Sequence, residues 1–495
     1  MEPLTLIAVI GVIYGTVFFF DCFFKSCMHY PYDAFLRNTG LTVQFMRLRW
    51  HTTAFNRTIF KWGSSCSKIF IHAFNLGVIT SIVLMALGIL ILSASLFGTS
   101  SGGGSDVTSK KFEVQMELLL PGVNLPLSEI GYYITALLIC SVVHELGHAI
   151  AAVMEDVPVT GFGIYVLFCF PVAYTELSTE HLNALKPLRK LRVLCAGIWH
   201  NVVLAAVFYV IFIGLGPALT PFYQTNSAVV ITHISPNSHL RGDRGLYWHD
   251  VIQSINECKV RNLDTWYSCL VKTLHSKPAF CVSSEFIRLN DETGLTAHID
   301  DGLVQCCDPS NTKVLCFEYI NDISNDDPLE IPQHMCLDIR KTVEEATSLC
   351  TTTCDEGFCI RPVINNSTTL LTIARKDRER VIYIGHPSDL YRTIKLSEFV
   401  PKTSFLTPEF ADSLSLFLKY NVVFSLGLAV INAIPSFSLD GHHISSTIIN
   451  SILANKITER ARRELVLLAV SCLGTLLFLS SIIKVLWSSL VTRFM

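Results

Sequence analysis

Apolar residues along this chain gather into long blocks instead of alternating with polar ones. Six blocks stand out, at residues 3–24, 75–98, 129–154, 193–219, 413–436 and 465–487. Each runs for about 20 residues or more, the length a helix needs to cross a hydrocarbon core. A helix of a water-soluble protein is usually shorter and keeps one polar face. The pattern therefore predicts six membrane-spanning helices. The first block begins Met-Glu-Pro, lacks a basic leader and has no small-residue cleavage site before Asp21 and Cys22. It is expected to stay as an anchor rather than be removed as a signal peptide.

Between the blocks the pattern changes. Residues 99–108 are a short Gly/Ser linker. Residues 158–176 are too short and too broken by Gly and Pro for another span, and their Val, Ile, Tyr and Phe predict strands dipping into the membrane. A free strand edge there, around Tyr165 and Leu167, is a candidate for pairing with an unwound substrate. Gly161 and Gly163 do not make a phosphate loop, because a third glycine and a following helix are missing. Residues 220–404 are polar and predict one folded module inserted between two spans.

Composition agrees with this division. Half of the 495 residues are apolar and 16% are charged, against about a quarter charged in soluble domains. The mean hydropathy is +0.44. These values exclude an ordinary soluble enzyme and a disordered chain. The net charge of −3 argues against direct nucleic-acid binding.

Ten of the 17 cysteines fall within 220–404. An even number in one extramembrane region predicts disulfides and an oxidising lumen. The spacing of Cys350, Cys354 and Cys359 also fits a metal knuckle, although no histidine or fourth cysteine completes it. Asn365 and Asn366 head two overlapping glycosylation acceptors in the same module. Charge gives an independent orientation. Loop 25–74 holds seven Lys/Arg against Asp33 alone, loop 155–192 ends in Lys186, Arg189, Lys190 and Arg192, and loop 437–464 carries Lys456, Arg460, Arg462 and Arg463. Basic loops stay in the cytosol, which puts the cysteine-rich module in the lumen. A third acceptor, Asn56, lies in a loop assigned to the cytosol by this argument.

The expected architecture is a multi-pass α-helical membrane protein of about six spans with an inserted lumenal, cysteine-rich α+β module. Its divisions are N-terminal spans and a basic loop (1–98), a Gly/Ser-containing lumenal linker (99–128), core spans (129–219), the module (220–404) and C-terminal spans (405–495).

The candidate chemistry lies inside the third block, at His144-Glu145-Leu146-Gly147-His148. On a helix, positions i and i+4 are about 40° apart, so both imidazoles can reach one metal. Glu145 stands where a general base for water belongs. A glutamate within an apolar run costs a few kcal/mol to insert, so it is functional by default. The bland alternative is a His/Glu cluster hydrogen-bonded within a helix bundle. Catalytic zinc usually takes three protein ligands. Asp440, in NAIPSFSLDG at 432–441, lies just past the fifth block at a similar predicted depth. An Asp-Gly pair is also an ordinary turn, and His442 and His443 are rival donors.

HELGH at 144–148, Gly197 and Asn201 in CAGIWHN at 195–201, and NAIP…LDG at 432–441 occur in this order around an inserted module. In this the chain resembles the intramembrane zinc metalloproteases called site-2 proteases. The resemblance implies one Zn2+ per chain held by His144, His148 and Asp440, with Glu145 as base. It implies that Asn201 stands near the metal and helps hold the substrate carbonyl; a helix–helix hydrogen bond is the competing role. It implies a PDZ-like fold beginning at 229–260 and interrupted by the cysteine-rich stretch 281–360. It further implies substrates that are single-span or hairpin membrane-tethered transcription factors of sterol and stress signalling. These would be cut after a first lumenal cleavage, in Golgi or endoplasmic reticulum membranes, with the active site near the cytosolic face. Two rivals remain at this point: a prenyl-peptide type of membrane zinc protease, whose third ligand is a Glu or His, and a non-enzymatic ion relay or lipid sensor.

Overall fold

All six apolar blocks form helices long and apolar enough to cross a membrane. The computed structural model describes residues 3–494 except 66, 98–125, 168–169, 237, 243, 276, 294–297, 301–302, 309, 321–330, 366 and 455. The expected Gly/Ser linker and Asn366 lie outside the described residues. Two compact units emerge, one made of Met1–Gly214 with Ser415–Met495 and the other of Leu215–Leu414.

The first unit contains the six long helices. They are α1 (Pro3–Ser26), α4 (Ser67–Phe97), α5 (Ile130–Met154), α6 (Pro187–Leu219), α7 (Pro408–Ala433) and α9 (Arg460–Phe494). Shorter helices accompany them, among them α2 (Tyr30–Thr39), α3 (Asn56–Ser65) and α8 (Asp440–Leu453). In α5, Tyr133, Ala136, Cys140, His144, Gly147, His148 and Ala151 are all buried. Their three- and four-residue spacing makes one inward stripe, which directs the histidines into the bundle.

Two buried carboxylates inside or beside the apolar blocks are paired. Asp21 in α1 is buried, 2.8 Å from Lys25 Nζ, and accepts from the Tyr32 hydroxyl at 2.8 Å. Glu155, just past α5, is buried between Arg189 and Arg192, and Arg192 also reaches Asn75 on α4. This cluster joins α4, α5 and α6 at one end of the bundle.

The strands expected at 158–176 are present as β3 (Val159–Leu167) and β4 (Phe170–Leu177). A hairpin from the basic loop, β1 (Leu41–Gln44) and β2 (Arg47–Thr52), joins them in one antiparallel sheet of order β1-β2-β3-β4. Arg47 pairs with Leu167 and Arg49 with Tyr165. Tyr165 and Leu167 therefore sit on an interior strand, and the free-edge role expected for them is corrected: β2 already occupies that side. The sheet's outer strands are β1 and β4. Asn56 also belongs to this packing. Its amide nitrogen, the atom a glycan would take, donates to the Val159 and Thr160 carbonyls.

The second unit is built from sheets. Strands 229–234 and 251–255 pair with 394–397 and 369–375, and 378–385 completes the row, with 258–259 beside 251–255. Residues on both sides of the stretch 281–360 thus build one sheet. Val229, Ile231, Ile252, Ile255, Leu371 and Ile373 face its core with Trp266. A separate five-stranded sheet uses 279–282, 314–319, 334–338, 349–350 and 358–362 over Phe280, Phe317, Met335 and Ile360. The ten cysteines form five disulfides: Cys258–Cys269, Cys281–Cys354, Cys306–Cys316, Cys307–Cys336 and Cys350–Cys359. The metal-knuckle alternative at Cys350, Cys354 and Cys359 falls, because all three sulfurs are bonded to other cysteines or each other.

Candidate metal centre

Two histidines one turn apart on α5 meet an aspartate nearly 300 residues further along the chain. His144 Nε2 lies 2.9 Å from Asp440 Oδ2, His148 Nε2 lies 3.2 Å from the same oxygen, and the two Nε2 atoms are 3.1 Å apart. For zinc bonds of about 2.0–2.1 Å, tetrahedral geometry puts ligand atoms about 3.3 Å apart. The observed triangle is close to one face of such a tetrahedron. His442 and His443 do not join it: His442 Nδ1 instead meets the Ser471 hydroxyl at 2.8 Å.

The neighbours set each imidazole for this task. His148 Nδ1 is 2.8 Å from the Val193 carbonyl. A carbonyl only accepts, so Nδ1 carries the proton and the Nε2 lone pair faces the triangle. His144 Nδ1 faces the Asn201 side-chain amide, with Nδ2 at 3.1 Å, while Asn201 Oδ1 is buried without a partner among the described residues. A ligating His144 must carry its proton on Nδ1. Turning the amide by 180°, which exchanges two atoms of nearly equal shape, gives Oδ1 that proton. Asn201 thus stands behind His144 and orients it.

Gly197 explains the small residue one turn before Asn201 on α6. A Cβ there would lie 2.4 Å from His148 Nε2 and 2.6 Å from His144 Nε2. The missing side chain is the space the imidazoles use. The residues therefore fit a metal on three observations: the donor triangle, the proton placement at His148 and the hollow at Gly197.

Asp440 opens α8 and does not sit in the isolated turn that an Asp-Gly pair allows. Gly441 allows α8 to start hard against α7, where a Cβ would be 2.1 Å from the Ile434 carbonyl oxygen. Sequence reading missed what holds this loop. Thr475 Oγ1 on α9 accepts from the Phe437 amide at 3.2 Å and meets Ser436 Oγ at 3.1 Å, while Ser471 meets His442. Ser471 and Thr475 are four apart on one face of α9, a spacing that carries no meaning until the loop is placed.

Glu145 is about 100° round α5 from His144 and about 60° from His148, and it is partly exposed. The sheet is tied to this turn: Thr175 on β4 donates to the Glu145 carbonyl at 3.1 Å, and the Ala173 amide donates to Ser141 at 2.8 Å. The strand is thereby held beside the turn of α5 that carries both histidines.

Comparison with known proteins extends the match beyond these few residues. A model of peptidase family M50 matches residues 132–477, which include every residue of the triangle as well as Glu145, Gly197, Asn201 and the α9 pair. A curated protein of Arabidopsis thaliana, described as a membrane-bound transcription factor site-2 protease homolog, is 28% identical over 215 residues. That match covers 43% of this chain and 40% of the relative's length. With more than two thirds of its length matched by the family model, this chain belongs to peptidase family M50.

Proposed function

We propose that this protein is an intramembrane zinc endopeptidase. It hydrolyses a peptide bond within or near the transmembrane helix of a membrane-tethered transcription factor after a first lumenal cleavage, and so releases the cytosolic part. The observation that carries the reading is the triangle of His144, His148 and Asp440 donor atoms, all within 3.2 Å of one another, on helices apolar enough to cross a bilayer. The name of the Arabidopsis relative supports the substrate class. Basic loops beside the ligand-bearing helix ends and five disulfides in the other unit support a site near the cytosolic face and a module in the lumen of Golgi or endoplasmic reticulum. The sheet joining 229–255 with 369–397 is compatible with an interrupted PDZ-like fold that captures an extended chain.

Zinc held by His144, His148 and Asp440 supplies Lewis acidity that makes water a nucleophile near neutral pH. Glu145 accepts the proton of the attacking water and passes it to the leaving amide nitrogen. Asn201 keeps His144 in its ligating tautomer, and His148 is kept so by Val193. The surrounding helices must leave room for water, because hydrocarbon supplies none. A helical substrate hides its peptide bonds, so residues that weaken helices, such as Asn or Pro, are expected near the cut.

The test is release of a reporter from a tethered substrate in cells and in reconstituted bilayers. Glu145→Gln is expected to keep about one zinc per chain and to lose release by at least about a hundredfold, the lower end for a general base. Release at the wild-type rate would remove Glu145 from its role. Full zinc retention in Asp440→Ala would show that another residue completes the ligand set.

A further inference from the structure

Glu145 borders a cavity of about 270 Å³ formed by α3, α5 and strands β2 to β4. Trp50, Phe55, Thr58 and Trp62 come from the N-terminal segment, and Gly163 contributes bare backbone. Among the described residues Glu145 is the one charged member of the lining, which is otherwise almost entirely apolar. The wall is built to hold its shape. A Cβ on Gly63 would lie 2.8 Å from the Val153 side chain, so α3 lies directly on α5. The Asn56 amide ties the start of α3 to β3. On Gly163 a Cβ would meet the Tyr174 hydroxyl at 2.4 Å and the Trp50 carbonyl oxygen at 2.3 Å, so the backbone there closes the wall without a side chain.

We propose that this cavity is the subsite for a large apolar side chain, such as leucine or phenylalanine, on the substrate residue adjoining the scissile bond. The inference rests on the proteolytic reading above. As the proposed base, Glu145 must reach the water that attacks the scissile carbonyl, so a group seated against its carboxylate lies beside the reacting atoms. An apolar lining that ends on one carboxylate rewards burial of hydrocarbon and rejects a polar residue beside the cut. The family match begins at residue 132, whereas Trp50, Phe55, Thr58 and Trp62 precede it. The proposed catalytic residues come from the matched segment, and part of the selecting wall comes from outside it.

The experiment uses the full chain in lipid nanodiscs with tethered peptides carrying Ala, Leu or Phe at each position flanking the cut, with the cut located by mass spectrometry. Wild-type protein is expected to favour Leu or Phe over Ala by about tenfold or more in kcat/KM at one position, as for other apolar subsites. Thr58→Trp fills the cavity and is expected to reverse this order, while Trp62→Ala enlarges it and raises Phe relative to Leu. Unchanged preferences in both variants, with zinc retained, would overturn the subsite. Where a variant fails to fold, crosslinking decides. Glu145→Gln protein mixed with a peptide bearing benzophenone at the selective position is expected to give adducts within residues 50–62. Adducts only elsewhere would overturn the proposal in favour of another site, and crosslinks lost to lipid competing before irradiation would overturn it in favour of a lipid pocket. If wild-type protein and Glu145→Gln alike cleave no peptide, the proteolytic reading fails and the subsite falls with it; a lost subsite alone leaves cleavage intact and unselective.

Discussion

The two units of this protein are held together by opposite means. In the disulfide-bearing unit, aliphatic and aromatic residues leave water for two sheet cores, and five disulfides close the loops between them. In the helical unit apolar surface has no such incentive, since lipid is as apolar as leucine. Its close contacts occur where side chains are missing, at Gly63, Gly197 and Gly441, and where buried polar groups pair, at Glu155, Asp21 and the His144–Asn201 contact. The first arrangement tolerates changes of size at many positions. The second depends on a few atoms whose presence or absence decides whether helices and ligands meet.

The largest expected effect tests that dependence. Gly197→Ala places a Cβ where both Nε2 atoms converge, so bound zinc is expected to fall from about one per chain to near zero while the five disulfides stay formed. Metal analysis beside free-thiol counting measures both, and normal zinc content would refute the role given to Gly197. The reverse experiment is reduction. Loss of one native disulfide typically costs about 2–5 kcal/mol, so dithiothreitol is expected to unfold the disulfide-bearing unit and leave zinc in place; zinc released in step with thiols would erase the contrast between units.

Next in size is Glu155→Ala. It leaves Arg192, which is largely buried, without its carboxylate, at a cost of about 3 kcal/mol; the more exposed Arg189 adds little. Thermal unfolding in detergent should show the helical unit alone destabilised. The smallest is Asn201→Ala, expected to weaken zinc binding about 10–100-fold, as for other residues that orient a ligand, with Asn201→Asp keeping most of the affinity because it still accepts from His144. Equal affinity in Asn201→Ala and wild type would reduce Asn201 to a packing residue.

Legibility from sequence followed the same divide. Span length alone located the six helices, and the HELGH spacing put two candidate ligands on one face of α5. β-branched and aromatic residues marked β3 and β4, yet not their partners: the pairing of β2 with β3 joins residues more than 100 positions apart. That pairing is why Tyr165 lies inside the sheet and not at its edge. Gly197 was visible as part of a motif, but its role is a hollow, and a hollow has meaning only once the facing imidazoles are in place. The α9 residues Ser471 and Thr475 were silent for the same reason. Ten cysteines announced disulfides, while their pairing depended on a sheet that sequence spacing does not reveal.

One feature of that sheet governs when the unit can form. Strand 229–234 pairs with 394–397, about 160 residues later. At roughly 5–20 residues synthesised per second, the earlier strand waits on the order of 10–30 s for its partner. The cysteine-rich stretch between them emerges first and can close its own short loops, such as Cys306–Cys316 and Cys350–Cys359, in that interval. Assembly of the unit is therefore ordered by chain position: the inserted piece matures while the frame around it is still unfinished.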